Sequence, residues 1–331
     1  MKALVYTQPH ELTYREEPDA VAGNGEAVVA VDAVGICGSD MHGYHGRDPR
    51  RVPPLILGHE ASGRIIQGPG AGGRVVLNPL ITCGRCDHCQ GGRANLCADR
   101  RLIGMNRPGA FAEQISMPPQ NLIPIPDGMD SVHAALTEPA ATALHALALA
   151  ARAGHRPLAE GRALVLGGGS VGLLAALLLR REGVHSILLG DTNPLRRRTA
   201  EAAGAAETFD PARSRPDAEA FDLVVDAVGG AETRRVALEA VRAGGVVMHI
   251  GLMDSVGEAD FRRLTLAEIT FIGTYTYTPV DLRAALAALH SGALGTLAWA
   301  EVRPLSDGAR AFDDLDKGRT AAAKVVLVPN G

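Results

Sequence analysis

Four of the five cysteines in this 331-residue chain share one short stretch, Cys83-x2-Cys86-x2-Cys89-x7-Cys97. Four thiolates on one loop are enough to close a tetrahedral zinc site. A filled coordination sphere leaves no position for water or substrate, so this site is expected to be structural. A disulfide framework would spread its cysteines along the chain, and a redox CxxC pair would leave the other two unexplained. His88 lies inside the loop, but the four cysteines suffice. The fifth cysteine, Cys37, stands in Gly35-Ile36-Cys37-Gly38-Ser39-Asp40, and His59 follows in Gly58-His59-Glu60. A cysteine and a histidine brought together by the fold can form an open zinc site that admits water or substrate. Taken singly, a lone cysteine is usually a small buried residue and a lone histidine usually a hydrogen-bonded structural one.

A third constellation is Gly167-Gly168-Gly169-Ser170-Val171-Gly172, which fits G-x-G-x-x-G after the apolar run Ala163-Leu164-Val165-Leu166. The first glycine permits a tight turn, and the second lets the backbone approach a pyrophosphate. The third allows close packing of helix on strand, with the helix N-terminus facing the phosphate charge. Asp191 closes the next apolar segment about 20 residues on, where a ribose-binding carboxylate belongs. A carboxylate there accepts from both ribose hydroxyls and repels a 2′-phosphate, so NAD is expected over NADP. Arg196-Arg197-Arg198 is the opposing signal, unless it forms a solvated helix face with Arg196 against the adenine.

These residues need two kinds of scaffold. The first third reads as β-rich, with Val-rich segments such as residues 27–34 and 61–66 between Gly and Pro turns, suggesting an antiparallel, barrel-like domain. From Glu138-Pro139 the pattern alternates. A helix over residues 140–152 precedes strands at 163–166, 186–189, 221–227 and 246–250, with helices between them, including 171–181, and one more at 281–290. Such alternation predicts an α/β, doubly wound parallel sheet. The segment 323–328 reads as a return to the first domain. At 46% hydrophobic and 21% charged residues the composition is that of a globular protein, and the net charge of −4 gives no reason to expect nucleic acid or an anionic membrane. No apolar run approaches the roughly 20 residues of a membrane span, and the N-terminus lacks a secretory signal's apolar core, so a cytoplasmic protein is expected.

Cys-Gly-Ser-Asp, Gly-His-Glu, the four-cysteine lobe and the glycine turn, in this order and spacing, resemble the zinc-containing medium-chain alcohol dehydrogenases, closest to the sorbitol (polyol) and threonine dehydrogenase branch. The resemblance spans essentially the whole chain, including Lys324-Val325-Val326-Leu327. It implies a groES-like β-rich catalytic domain (residues 1–142, with the zinc lobe at about 80–100), a Rossmann domain (143–287) and a return to the catalytic domain (288–331). It also implies two zinc ions per chain. Cys37 and His59 would hold the catalytic one, with Glu60 and Glu138 as carboxylates that ligate it directly or through water. Asp40 would orient His59, and Ser39 and His42 would relay the proton. Val228 and Gly251 would line the cofactor cleft beside Gly167, Gly169, Ser170, Val171 and Gly172, and Lys324 would sit on the pyrophosphate.

Two departures stand out. The segment 64–75 is shorter than in relatives, a change expected at the surface rather than in the chemistry. Thr276 occupies the place where sorbitol dehydrogenases tend to carry an arginine for substrate hydroxyls, and Tyr275 and Tyr277 read as cleft-lining, subunit-contact or plain strand residues. The expected activity is NAD-linked oxidation of a secondary alcohol in a polyol or vicinal diol, by a homodimer or homotetramer. A threonine or other amino-alcohol dehydrogenase is the rival within enzymes. A non-catalytic zinc- and nucleotide-binding module is the rival outside them.

Overall fold

The structure, a computed structural model, describes residues 1–329. Two sheets organise it. The first centres on Ala27–Gly35, buried along most of its length, which pairs antiparallel with Glu60–Gln67, Gln114–Met117 and Lys324–Val328. Arg74–Leu77 and Leu122–Pro124 extend one side, and Ala300–Pro304 closes the other, parallel to Lys324–Val328. The late segment therefore does return to the first sheet. The shortened connection 68–73 is an exposed hairpin tip, turned by Gly68, Gly70 and Gly72 at positive φ.

The second sheet is parallel throughout. Its strands are Arg162–Leu166, Ser186–Gly190, Glu207–Phe209, Phe221–Asp226, Val241–His249 and Thr270–Gly273. Numbered in chain order they lie 3-2-1-4-5-6, the dinucleotide-binding arrangement, whose switch point between strands 1 and 4 opens a crevice at their carboxyl ends. Leu, Val and Ala supply nearly all of the surrounding core. The small side chains along Thr137–Ala153 let that helix pack closely on Ser170–Arg181 and Pro279–His290.

The structure revises two sequence-based expectations. The helix expected over 140–152 begins at Thr137, which puts Glu138 in its first turn. The strand ends at Gly273, and Thr276 takes a left-handed conformation (φ 47°), so Tyr275 and Tyr277 lie on a loop, not in a strand. No helix among the described residues is long and apolar enough to cross a membrane.

Candidate active site

The four lobe cysteines converge. Their sulfurs lie 3.5 Å (Cys86–Cys89 and Cys97–Cys83) and 3.9 Å (Cys83–Cys89) apart. A tetrahedron with Zn–S bonds of about 2.3 Å has edges of about 3.8 Å, whereas a disulfide would need about 2.05 Å. The donor set therefore fits a four-thiolate zinc ion. Backbone N–H groups of Arg85 and Cys86 pull the Cys83 thiol down to about 6, which favours the thiolate a metal requires. The Asn95 amide donates to the Tyr275 carbonyl at 2.9 Å, and Arg100 lies over the Tyr275 ring. Tyr275 thus serves as an anchor for the lobe.

Cys37 caps the helix Gly38–Tyr44. Its sulfur accepts from the Ser39 N–H, while the Asp40 carboxylate accepts from the Cys37 N–H at 3.1 Å. His59 is delivered by the turn at Gly58, which has φ +89° and leaves a Cβ no room beside the Phe111 ring. Glu60 opens the strand Glu60–Gln67. Donor atoms of Cys37, His59 and Glu60 all lie within 4.8 Å of one another. Asp40 Oδ1 faces His59 Nδ1 at 3.4 Å, so the other ring nitrogen is turned to the pocket, 3.4 Å from the Ser39 hydroxyl. Burial works against charge on His59, yet the charges of Asp40 and Cys37 outweigh it and raise its pKa well above the ordinary value. The pocket's potential stabilises positive charge, which fits a cation held by thiolate and imidazole.

Glu138 lies outside that three-residue group but close enough to sense it. Burial pushes its carboxyl up to about 7, opposed by the charge of His59 and reinforced by that of Glu60. Beside it stands Tyr277, 2% exposed, its phenol raised well above the usual range by burial and then by Glu138. The sequence reading offered Tyr277 as cleft-lining but missed its meeting with Glu138, because its G-T-Y-T-Y context looks equally like strand packing.

Arg51 is the other residue it missed. Its guanidinium is buried, donates to the Ser39 hydroxyl at 3.1 Å and to the Gly104 carbonyl at 3.2 Å, and pairs with Asp48 and Asp40. Ser39 is therefore held from one side by Arg51. His42, on the same short helix, is half-buried; burial and then the charges of Arg51 and Arg47 lower its pKa, keeping the imidazole neutral. Lys324 requires a correction. Expected at the pyrophosphate, it is instead 1% exposed, its ammonium bonded to Glu60 at 2.7 Å and to the Ile36 carbonyl at 2.8 Å. An uncompensated carboxylate at Glu60 would be costly so deep in the protein, and the lysine offsets it.

The glycine turn lies at the switch point. Gly167 has φ +100°, and a Cβ there would strike Val228; a Cβ on Gly172 would come 1.8 Å from the Gly167 carbonyl oxygen. Gly169 is the N-cap of the helix that Ser170 and Val171 begin. Asp191 accepts from the backbone N–H groups of Gly168 and Asn193, each at 2.7 Å, with Arg196 at 4.0 Å. Arg197 is engaged with the Asp191 carbonyl and Asp210, and Arg198 is exposed. The Asp226 carboxylate receives the N–H groups of Val228 and Gly229, and Gly251 packs directly on the Val228 backbone, so both expected cleft residues border the crevice.

Comparison with known proteins agrees with this architecture. The alcohol dehydrogenase GroES-like domain matches residues 23–127 and the zinc-binding dehydrogenase domain residues 170–291. The L-galactonate-5-dehydrogenase of Escherichia coli K12 is 33% identical over 299 residues, 85% of either chain. An L-threonine 3-dehydrogenase of Sinorhizobium fredii is 30% identical over 294 residues, 83% of either chain. A Sinorhizobium meliloti chain solved bound to NADP superposes with a TM-score of 0.87 at 30% identity, covering 99% of both chains. The chain belongs to the zinc-containing medium-chain alcohol dehydrogenase family of oxidoreductases.

Proposed function

We propose that the protein oxidises a secondary alcohol within a polyol or vicinal diol to the ketone, reducing NAD and releasing one proton. The observation that carries this reading is the meeting of Cys37, His59 and Glu60 within 4.8 Å. Cys37 and His59 would hold a zinc ion, which would supply Lewis-acid polarisation of the alcohol oxygen, and a nicotinamide bound in the crevice would supply the hydride acceptor. The remaining work belongs to the chain. Ser39, oriented by Arg51, accepts the alcohol proton and passes it towards His42, whose neutral imidazole can receive it. Asp40 keeps the pocket-facing nitrogen of His59 free for the metal. Glu138, its carboxyl pushed up to about 7 by burial, would complete the coordination directly or through water and could hold a second substrate hydroxyl. Asp191 selects NAD by accepting from the ribose hydroxyls, against the precedent of the NADP-bound neighbour.

Sheet membership supports a catalytic domain of residues 1–142 and 288–331 around a cofactor domain of 143–287. Two zinc ions per chain are part of the same reading, one in the lobe and one at Cys37. The exposed edge strand Thr270–Gly273, carrying Phe271, is suited to pairing with a second copy.

The test is a substrate panel of polyols, vicinal diols, L-threonine and primary alcohols, followed by NADH absorbance with NAD and with NADP. Turnover of polyols or diols is expected. Activity confined to L-threonine, the substrate named for one of the relatives, overturns the polyol assignment. NAD binding without turnover of any alcohol, together with a single zinc per chain, replaces the enzyme by a binding module.

A further inference from the structure

The helix Gly38–Tyr44 carries chemistry at both ends. Cys37 stands at its N-cap and His45 at its C-cap, about 12 Å apart at 1.5 Å rise per residue. At the far end, His45 Nε2 lies 2.6 Å from Asp316 Oδ1, at the close of the helix Gly308–Asp316. His10, at the tip of the hairpin between Lys2–Gln8 and Glu11–Glu16, brings a second imidazole, 5.1 Å from the first between ring centroids. One donor atom from each of the three residues falls within 4.8 Å of the other two.

We propose that His10, His45 and Asp316 form a further divalent transition-metal site, separate from the cysteine lobe and the Cys37 pocket. Two imidazoles and a carboxylate at the surface leave open positions for water, a donor set suited to zinc and its neighbours in the first transition row. Ligands of a tetrahedral zinc ion sit about 3.3 Å apart, so the His45–Asp316 pair need open by only about 0.7 Å to admit the ion.

Two features preorganise the site. His10 has φ +65°, a left-handed conformation uncommon outside glycine and the kind of backbone strain that gathers at ligand clamps. Its N–H donates to the Tyr44 carbonyl at 2.7 Å, which fixes the hairpin tip against the helix end. No lysine or arginine among the described residues neutralises Asp316: the adjacent Lys317 pairs with Asp313, and Arg319 with Asp313 and Asp314. The carboxylate is left to the two histidines. A bound ion would join three segments distant in sequence and clamp the helix that also carries Ser39 and His42.

Tag-free, zinc-loaded wild type, His10→Ala and Asp316→Asn, dialysed alike, would be titrated with zinc chloride by calorimetry and melted with and without added zinc. Wild type is expected to take up one equivalent more than either variant, and its unfolding midpoint alone is expected to rise with zinc. Because the readout is a difference between proteins, it does not depend on how many ions the cysteine sites hold. Neither residue belongs to the catalytic machinery, so activity without added zinc should match wild type, which also reports correct folding. Equal uptake by all three proteins, or a midpoint shift that survives in both variants, overturns the site.

Discussion

At the scale of single residues, Ser39 and Arg51 act as a pair with separable roles. Removing the Ser39 hydroxyl should lower kcat about 10²–10⁴-fold, the range for a lost proton-transfer group, while zinc content and substrate KM change little. An unchanged kcat at neutral pH in Ser39→Ala would remove it from the proton route. Arg51→Ala should behave differently, because it removes one cationic partner from Asp40, which keeps His59 and the Cys37 N–H, and one from Asp48, which keeps Arg50. A fully orphaned buried charge costs about 3–5 kcal/mol; the partners that remain hold the loss below that range, and denaturant unfolding should show it alongside the fall in activity. Asp191→Ala should raise the KM for NAD and bring the NAD-to-NADP ratio of kcat/KM towards one; a preserved ratio would locate cofactor choice elsewhere. The two candidate metal clusters and Asp191 stood out in the sequence because their residue types and spacing themselves suggest the chemistry. Arg51 was not: it follows another arginine in a loop, and only the assembled fold reveals that one guanidinium is buried and its neighbour exposed.

At the scale of elements, the lobe and the paired helices carry distinct predictions. Cys97→Ser should cost the lobe's zinc and leave that of the Cys37 pocket, with metal counted by atomic emission on protein dialysed alike, since the two groups share no ligand. Between the helices Thr137–Ala153 and Pro279–His290, His145 meets Asp281 at 2.8 Å. Burial there opposes the Asp281 charge, but hydrogen bonds from His145 and Thr278 prevail and hold its pKa below the ordinary 3.8. A carboxylate depressed on folding contributes stability above its unfolded pKa and loses it as pH falls through the folded value. The unfolding midpoint of Asp281→Asn should therefore lie below wild type at neutral pH and converge with it in acid beneath pH 4. A gap that persists there would mean the pair contributes nothing through its charge. Element positions were largely readable from apolar periodicity, because parallel strands buried on both faces announce themselves as Val- and Leu-rich runs. The loop at Tyr277 escaped because alternating Tyr and Thr imitates a strand, and the left-handed turn at Thr276 that breaks the alternation has no glycine to signal it.

At the scale of the whole molecule, the two-sheet architecture could be anticipated, since each sheet has its own sequence period and the switch between them falls at one place. The return of the late segment to the first sheet was also legible, but the register of that pairing was not. Lys324 was expected to face the cofactor phosphates, and what decided otherwise was the deep burial of Glu60, which depends on the register of Ala27–Gly35 with Lys324–Val328 and with Glu60–Gln67. That register bears on biogenesis. A ribosome must translate beyond residue 328 before the strand Lys324–Val328 can slot beside Ala27–Gly35 and the ammonium can reach its carboxylate. A nascent chain stalled any earlier would hold Cys37 and His59 over an unneutralised acid, so premature stop codons even this late should yield protein whose nucleotide crevice survives and whose metal pocket does not.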